Sequence, residues 1–251
     1  MVFKYFIIGL IQGLTEFLPV SSSGHILLFS KIFNVDCDIV LLSVVCHLGT
    51  LLSVLICMRK KVAEIVKKPF SEQSLKLIIA TIPAVLAVLF FNKLIDKLYG
   101  IQFLIYGFLI TGILLVVADF LKVKNKPLGK KQALYMGIMQ GVAILPGISR
   151  SGSTMAVGMM SGVSKEEACE FSFLMSIPII LGSAVWEAIG LFNTNVDFNP
   201  LALIVAFVTS FIFGIISIKT MLKVVKSNKL IIFVIYILCI SIFMLFWFYI
   251  K

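Results

Sequence analysis

Charge is what this chain has least of. Only 14% of its 251 residues are Asp, Glu, Lys or Arg, where a soluble domain carries about 25%. That deficit excludes an ordinary soluble surface. With 60% hydrophobic residues and a mean hydropathy of +1.11, it places the chain in a bilayer. Arginine is scarcer still, occurring only as Arg59 and Arg150. The five cysteines, Cys37, Cys46, Cys57, Cys169 and Cys239, form no CxxC pair. This argues against a zinc site or a disulfide framework and leaves them as small apolar packing residues. The opening MVFKYFIIGLIQG resembles a leader in its one lysine and apolar run, but no small-x-small site follows it. Glu16 and Pro19 come instead, so the segment is expected to be retained.

What charge there is has a pattern. The net charge of +10 falls in short lysine clusters between apolar runs, as in cytoplasmic loops that meet anionic headgroups. No basic face with interleaved aromatics exists, so nucleic acid is not an expected partner. Six segments, at about 39–58, 75–94, 101–121, 167–190, 200–222 and 229–250, are apolar over the ~20 residues that a span needs. Arg59, Lys60, Lys61, Lys67 and Lys68 follow the first; Lys122, Lys124, Lys126, Lys130 and Lys131 follow the third; Lys219, Lys223, Lys226 and Lys229 join the last two. These loops read as cytoplasmic. Loops 34–38 and 191–199 carry Asp36, Asp38 and Asp197 without Lys or Arg, and that near 93–100 sets Lys93 and Lys97 against Asp96. They read as outward.

Two further apolar regions, 1–33 and 132–163, are broken by polar phrases: IQGLTEFLPVSSSGH at 11–25 and MQGVAILPGISRSGS at 139–153. By the loop charges, region 132–163 leaves the cytoplasm and returns to it. Region 1–33, if it mirrors the second, starts and ends outside. The fold expected is therefore an all-α integral membrane protein, a single membrane domain over 1–251. It has six full transmembrane helices plus two broken re-entrant hairpins, arranged as an inverted repeat of 1–122 and 131–251. At an offset of 128, Gly9 matches Gly137, Gln12 matches Gln140, Gly13 matches Gly141, and Ser21, Ser23 and Gly24 match Ser149, Ser151 and Gly152. An ordinary span over 1–17, followed by a loop and a short helix, stays open as the alternative.

Irregular backbone at membrane depth leaves N–H and C=O groups unpaired at several kcal/mol each, so it persists only around an enclosed or wet cavity. The two phrases are expected to meet there. One brings Gln12, Glu16, Ser21, Ser22, Ser23 and His25; the other brings Gln140, Ser149, Arg150, Ser151, Ser153 and Thr154. Gln12 and Glu16 share a helix face one turn apart. Pro19 stops that helix, and SSSG opens the next with hydroxyls and N–H groups suited to an anion. Arg150 within GISRSGST is expensive in a membrane unless an anion pairs with it, and its planar fork fits phosphate. Glu16 as a purely structural partner of Arg150, and His25 as a packed or capping histidine, stay open. His47, alone on an apolar span, reads as structural. Ser43, Ser53, Ser172 and Ser176 read as bonding their own helix backbone or a neighbour, and Glu170 and Glu187 as reaching interface water.

QGLTEFLPVSSSGH followed by PGISRSGST resembles the bacitracin-resistance type of undecaprenyl-pyrophosphate phosphatases across essentially the whole chain. The family's first motif carries onto Gln12, Glu16, Pro19, Ser21, Ser22, Gly24 and His25, and its second onto Pro146, Gly147, Ser149, Arg150, Ser151, Gly152 and Thr154. Some members have a glutamate where this chain has Gln12. The resemblance implies hydrolysis of undecaprenyl pyrophosphate to undecaprenyl phosphate and phosphate, on the outer side of the bacterial cell membrane, aided by magnesium or calcium. It puts Ser22, His25, Glu16 and Arg150 in catalysis. Ser21, Ser23, Gly24, Gln140, Ser149, Ser151 and Thr154 would line the substrate, and Glu16 with Gln12 would hold the cation. Ser22 activated by His25 is the favoured nucleophile, with Ser21, Ser23 or a water left open. The partners expected are the lipid substrate and the bilayer, with a homodimer left open. Transport or flipping of a phosphate-bearing lipid or anion is the rival reading, because paired re-entrant hairpins are also the plan of carriers.

Overall fold

The computed structural model describes residues 2–33, 39–98, 100–121, 125–191, 199–227 and 229–250. Asp36, Asp38 and Asp197, on which the outward loops were read, lie outside the described residues, as do Cys37, Lys122 and Lys124 and the side chains of Lys93, Asp96 and Lys97.

Among the described residues the protein is all helical, with one isolated bridge between Lys126 and Val163. The order is α1 (Val2–Phe17), α2 (Ser22–Ile32), α3 (Ile39–Cys57), α4 (Arg59–Lys67), α5 (Glu72–Lys97), α6 (Ile101–Phe120), α7 (Lys130–Val142), α8 (Arg150–Met160), α9 (Lys165–Leu191), α10 (Pro200–Lys226) and α11 (Ile231–Leu245), ending in a π-turn over Phe246–Ile250. Six of these elements hold windows long and apolar enough to cross a membrane: Val40–Cys57, Glu72–Phe91, Gln102–Phe120, Lys165–Gly190, Pro200–Lys226 and Ile231–Phe248. They match the six apolar runs, and the protein is a multi-pass membrane protein. The helix α4 was not foreseen. Its RKKVAEIVK sequence is amphipathic, and Val62 and Ile65 pack part-buried against the core while the lysines stay outside.

The four short helices come from the two polar phrases. α1 ends at Phe17, one residue before the turn that carries Pro19, whose missing N–H and fixed φ stop a helix. Ser21, at φ 68°, then caps α2 by accepting the Gly24 N–H at 3.4 Å. The second break repeats the device. α7 ends at Val142, Gly147 turns the chain at φ +86°, and Ser149 caps α8 by accepting the Gly152 N–H at 3.1 Å.

Small residues hold these short helices against the long ones. A Cβ on Gly9 would sit 2.5 Å from the Ala206 carbonyl oxygen of α10, and one on Gly137 would sit 2.6 Å from that of Ala80 on α5. The two backbones can approach this closely only without side chains between them. α1 thus packs on α10 and α7 on α5, while α3 meets α9 and α6 meets α11. α8 lies between α6, α7 and α9.

The tightest joint is between the second break and α6. A Cβ on Gly147 would lie 2.4 Å from the Leu104 carbonyl oxygen, and one on Gly107 would lie 2.4 Å from that of Pro146. Gly147→Ala combines a left-handed φ with a backbone clash, so it is expected to destabilise the protein by about 2–4 kcal/mol. Gly182→Ala, with nothing within 4 Å of its new Cβ, is expected to be neutral or slightly stabilising. Thermal unfolding of the two variants in detergent checks the contrast. Equal midpoints would remove the constraint assigned to Gly147.

Candidate active site

Glu16 is the centre of the site. It is on the last turn of α1 and only 7% exposed. Gln12, one turn earlier and fully buried, donates its Nε2 to Glu16 Oε2 at 3.0 Å. Ser22, the first residue of α2, donates its hydroxyl to the same oxygen at 2.7 Å. From the other hairpin, Arg150 at the start of α8 donates Nη2 to Glu16 Oε1. The prediction that the two polar phrases meet therefore holds, and Ser151 adds a tie between them by donating to the Leu18 carbonyl at 3.1 Å.

The pairing leaves loose ends. Arg150 Nη1 and Gln12 Oε1 are both buried without a hydrogen-bond partner. A buried guanidinium N–H without an acceptor costs about 1–3 kcal/mol, and more for a charged group, and an anion beside Arg150 would supply that acceptor. Among the described residues no three of His, Cys, Asp and Glu gather closely enough to hold a metal alone. The carboxylate of Glu16 and the unpaired oxygen of Gln12 are the oxygen donors on offer.

The other expected residues are placed less centrally. The structure does not bring His25 to Ser22. Its Nδ1 lies 2.7 Å from the Ser21 carbonyl oxygen and its Nε2 lies 2.8 Å from the Tyr236 hydroxyl, with the ring stacked on Tyr236 and edge-on to Phe108. Both nitrogens are engaged with α11 and the α2 turn. Ser21 is occupied as a cap and lies 3.5 Å from the Ser23 hydroxyl. Gly24 meets Phe108, whose ring would lie 2.7 Å from an added Cβ.

On the second hairpin, Ser149 caps α8, donates its N–H to the Thr111 hydroxyl oxygen at 2.9 Å and lies 3.3 Å from the Ser151 hydroxyl. Ser153 donates to the Ser149 carbonyl at 2.6 Å. Thr154 bonds the Arg150 carbonyl and Ser172, each at 2.7 Å. Gln140 donates to the Ala80 carbonyl on α5 at 3.3 Å and keeps a buried, unpaired Oε1. Ser149, Ser153 and Thr154 brace the backbone around Arg150, and Gln140 ties α7 to α5.

Sequence reasoning set aside one residue that belongs here. His47 does have polar company. Its Nδ1 lies 2.8 Å from the Ser43 carbonyl oxygen, and its Nε2 lies 3.8 Å from Glu16 Oε2. That partner is 31 positions away in the chain, so no local pattern reveals it. The available signal was a histidine inside a membrane span, which is itself a mark of function.

Residues 5–243 match the family model described as bacitracin resistance protein BacA. The chain belongs to this family. It is 39% identical over 240 residues to an undecaprenyl-diphosphatase of Carboxydothermus hydrogenoformans, covering 91% of this chain and 90% of that one. It is 40% identical over 247 residues to an undecaprenyl-diphosphatase of Thermosipho melanesiensis, covering 94% and 96%. To one of Methanococcus maripaludis it is 40% identical over 250 residues, covering 95% and 97%. The BacA match spans both hairpins, so Gln12, Glu16, Ser22 and Arg150 all lie within it.

Removing one partner of the Glu16–Arg150 pair leaves a charge buried alone, whereas removing both does not. Glu16→Gln is expected to cost about 3–5 kcal/mol, and Glu16→Gln with Arg150→Gln to recover most of it. Thermal unfolding of the two single variants and the double variant checks this. Strictly additive losses would mean that the two side chains do not compensate each other.

Proposed function

We propose that this protein hydrolyses undecaprenyl pyrophosphate to undecaprenyl phosphate and inorganic phosphate, recycling the lipid carrier of bacterial cell-wall synthesis. One observation carries the reading: a half-buried arginine, whose Nη1 is buried and unpaired, sits beside a carboxylate that already accepts the hydrogen bond of a serine hydroxyl. The relatives named undecaprenyl-diphosphatase supply the substrate.

Phosphoryl transfer needs positioning and charge neutralisation more than elaborate covalent chemistry. Pyrophosphate competes with Glu16 for the guanidinium and uses the N–H that Glu16 does not hold. Ser22 is favoured over Ser21 and Ser23 as nucleophile because its hydroxyl is the one bonded to Glu16. Its oxygen attacks the terminal phosphorus as its proton passes to Glu16. The bond to the bridging oxygen breaks, undecaprenyl phosphate leaves, and water then releases phosphate from Ser22. His25, held by Ser21 and Tyr236, positions the turn that carries Ser22.

A magnesium or calcium ion fits here as one shared with substrate, because Gln12, bonded to Glu16 through Nε2, keeps a buried Oε1 without a partner. Gln12 and Glu16 would hold it, and it would neutralise charge on the pyrophosphate oxygens.

The inverted repeat belongs to the same proposal. α1, α2, α7 and α8, at 16, 11, 13 and 11 residues, fall short of the ~20 that a span needs. Matched positions do matched work: Gly9 and Gly137 admit a long helix, and Ser21 and Ser149 cap the second helix of their hairpin. Each hairpin's first helix also packs on a long helix from the other half, 1–122 against 131–251. These points favour two re-entrant hairpins and a pocket open to the outer side of the cell membrane.

Phosphate release from lipid pyrophosphate by the purified protein tests the activity. In detergent there are no two sides, so a transporter releases nothing. Arg150→Lys, which keeps the charge and loses the fork, is expected to slow release at least ~100-fold, on the order of 3 kcal/mol in the transition state. Near-normal hydrolysis by a folded Arg150→Lys protein would make Arg150 a mere counter-ion. Topology is tested separately, with the five native cysteines replaced. A cysteine at Phe33 is expected to react with impermeant reagent from outside, and one at Asn125 is expected not to. Reaction of both from one side would overturn the inverted arrangement.

A further inference from the structure

The two histidines of this chain are held alike and end differently. Each has Nδ1 close to the carbonyl oxygen four residues earlier, 2.7 Å from Ser21 for His25 and 2.8 Å from Ser43 for His47. A carbonyl oxygen can only accept, so Nδ1 carries a hydrogen in both. Nε2 of His25 meets the Tyr236 hydroxyl. Nε2 of His47 faces Glu16 Oε2. A metal-ligating imidazole has its other N–H held by a carbonyl, carboxylate or water, as Nδ1 of His47 is here.

Two more facts locate the cation. Glu16 is divided, with Oε1 on Arg150 and Oε2 on the side of Gln12, Ser22 and His47. Gln12, whose Nε2 bonds that oxygen, also carries an Oε1 that is buried and unpaired. Two donors about 2.1 Å from one ion stand roughly 3.0–3.5 Å apart, so the 3.8 Å between His47 Nε2 and Glu16 Oε2 closes by a few tenths of an ångström.

We propose that His47 is a protein ligand of the divalent cation, acting with Glu16 and Gln12. The inference rests on the phosphatase reading for the presence of the ion, and it adds the residue that makes good the missing second carboxylate at Gln12. The remaining coordination positions fall to pyrophosphate oxygens and water. A nitrogen donor among oxygens moves preference away from calcium toward manganese and its first-row neighbours.

The test reads coordination without turnover. Tag-free protein in detergent is titrated with Mn²⁺, alone and with methylenediphosphonate, a pyrophosphate whose bridging oxygen is replaced by carbon. Pulsed EPR is expected to show nitrogen coupling from a bound imidazole. Labelling with ¹⁵N-histidine is expected to convert that coupling, and manganese is expected to bind at least tenfold more tightly than calcium. His47→Gln is expected to abolish the coupling and weaken Mn²⁺ about tenfold. If that variant does not fold, His25→Gln leaves His47 as the one histidine and is expected to keep the coupling. Coupling that survives in His47→Gln or vanishes in His25→Gln, or manganese bound without nitrogen or not at all, overturns the proposal. Nitrogen-bound manganese in a protein that releases no phosphate keeps the ligand and sinks the phosphatase reading, and an active protein without it does the reverse.

Discussion

The rest of the structure is organised around one largely buried ion pair between two short helices, Glu16 of α1 with Arg150 of α8. Either charge alone in that setting is costly, so each helix that carries one has to reach the other. Neither could do so from a straight span with its backbone fully bonded, because the turns that present Ser22 and Arg150 need free N–H groups and hydroxyls. Both breaks therefore occur at the same place in the fold. Pro19 and Gly147 end the approach, and Ser21 and Ser149 restart the helices. The pair and the breaks depend on each other: without the pair the irregular backbone has nothing to serve, and without the breaks the charges cannot meet.

Close packing then fixes the breaks in space. Gly9 on Ala206, Gly137 on Ala80 and Gly147 on Leu104 are contacts at which even a methyl group would collide with backbone. In lipid there is little hydrophobic gain in bringing helices together, so such contacts and the hydrogen bonds across them carry the association. The bonds from Ser151 to Leu18 and from Ser217 to Leu14 join the first hairpin to α8 and α10 in this way. These contacts and bonds fix the elements that carry Glu16 and Arg150 relative to one another.

Much of this was legible in the sequence for a definite reason. Spans and breaks are one-dimensional features: twenty apolar residues cross a bilayer whatever their partners, and Pro, Gly and Ser interrupt a helix wherever they stand. Hence the six long helices, the two breaks and the meeting of the two polar phrases followed from residue order, while the direct pairing of Glu16 with Arg150 stood only as an open alternative. Side-chain direction did not. His25 was expected at Ser22, three positions away, but its ring is drawn to Tyr236, 211 positions away. His47 looked isolated because its polar neighbour comes from another helix. The helix α4 was hidden among lysines that served the charge argument, where the alternation of Val62 and Ile65 with polar residues was the overlooked signal.

The ion pair is also a poor choice for stability alone. A buried pair often contributes no more than well-packed apolar residues of the same size, and this one leaves Arg150 Nη1 and Gln12 Oε1 without partners. Its value lies in what it resembles. A carboxylate on a guanidinium has the same planar, charge-assisted geometry as a phosphate on a guanidinium, so Glu16 holds Arg150 in the posture that a phosphate requires. In the proposed hydrolysis pyrophosphate would take the guanidinium from Glu16, while Glu16 would keep the Ser22 hydroxyl on its other oxygen. The division of one carboxylate between an arginine and a serine is therefore what would let substrate exchange with one partner without disturbing the other.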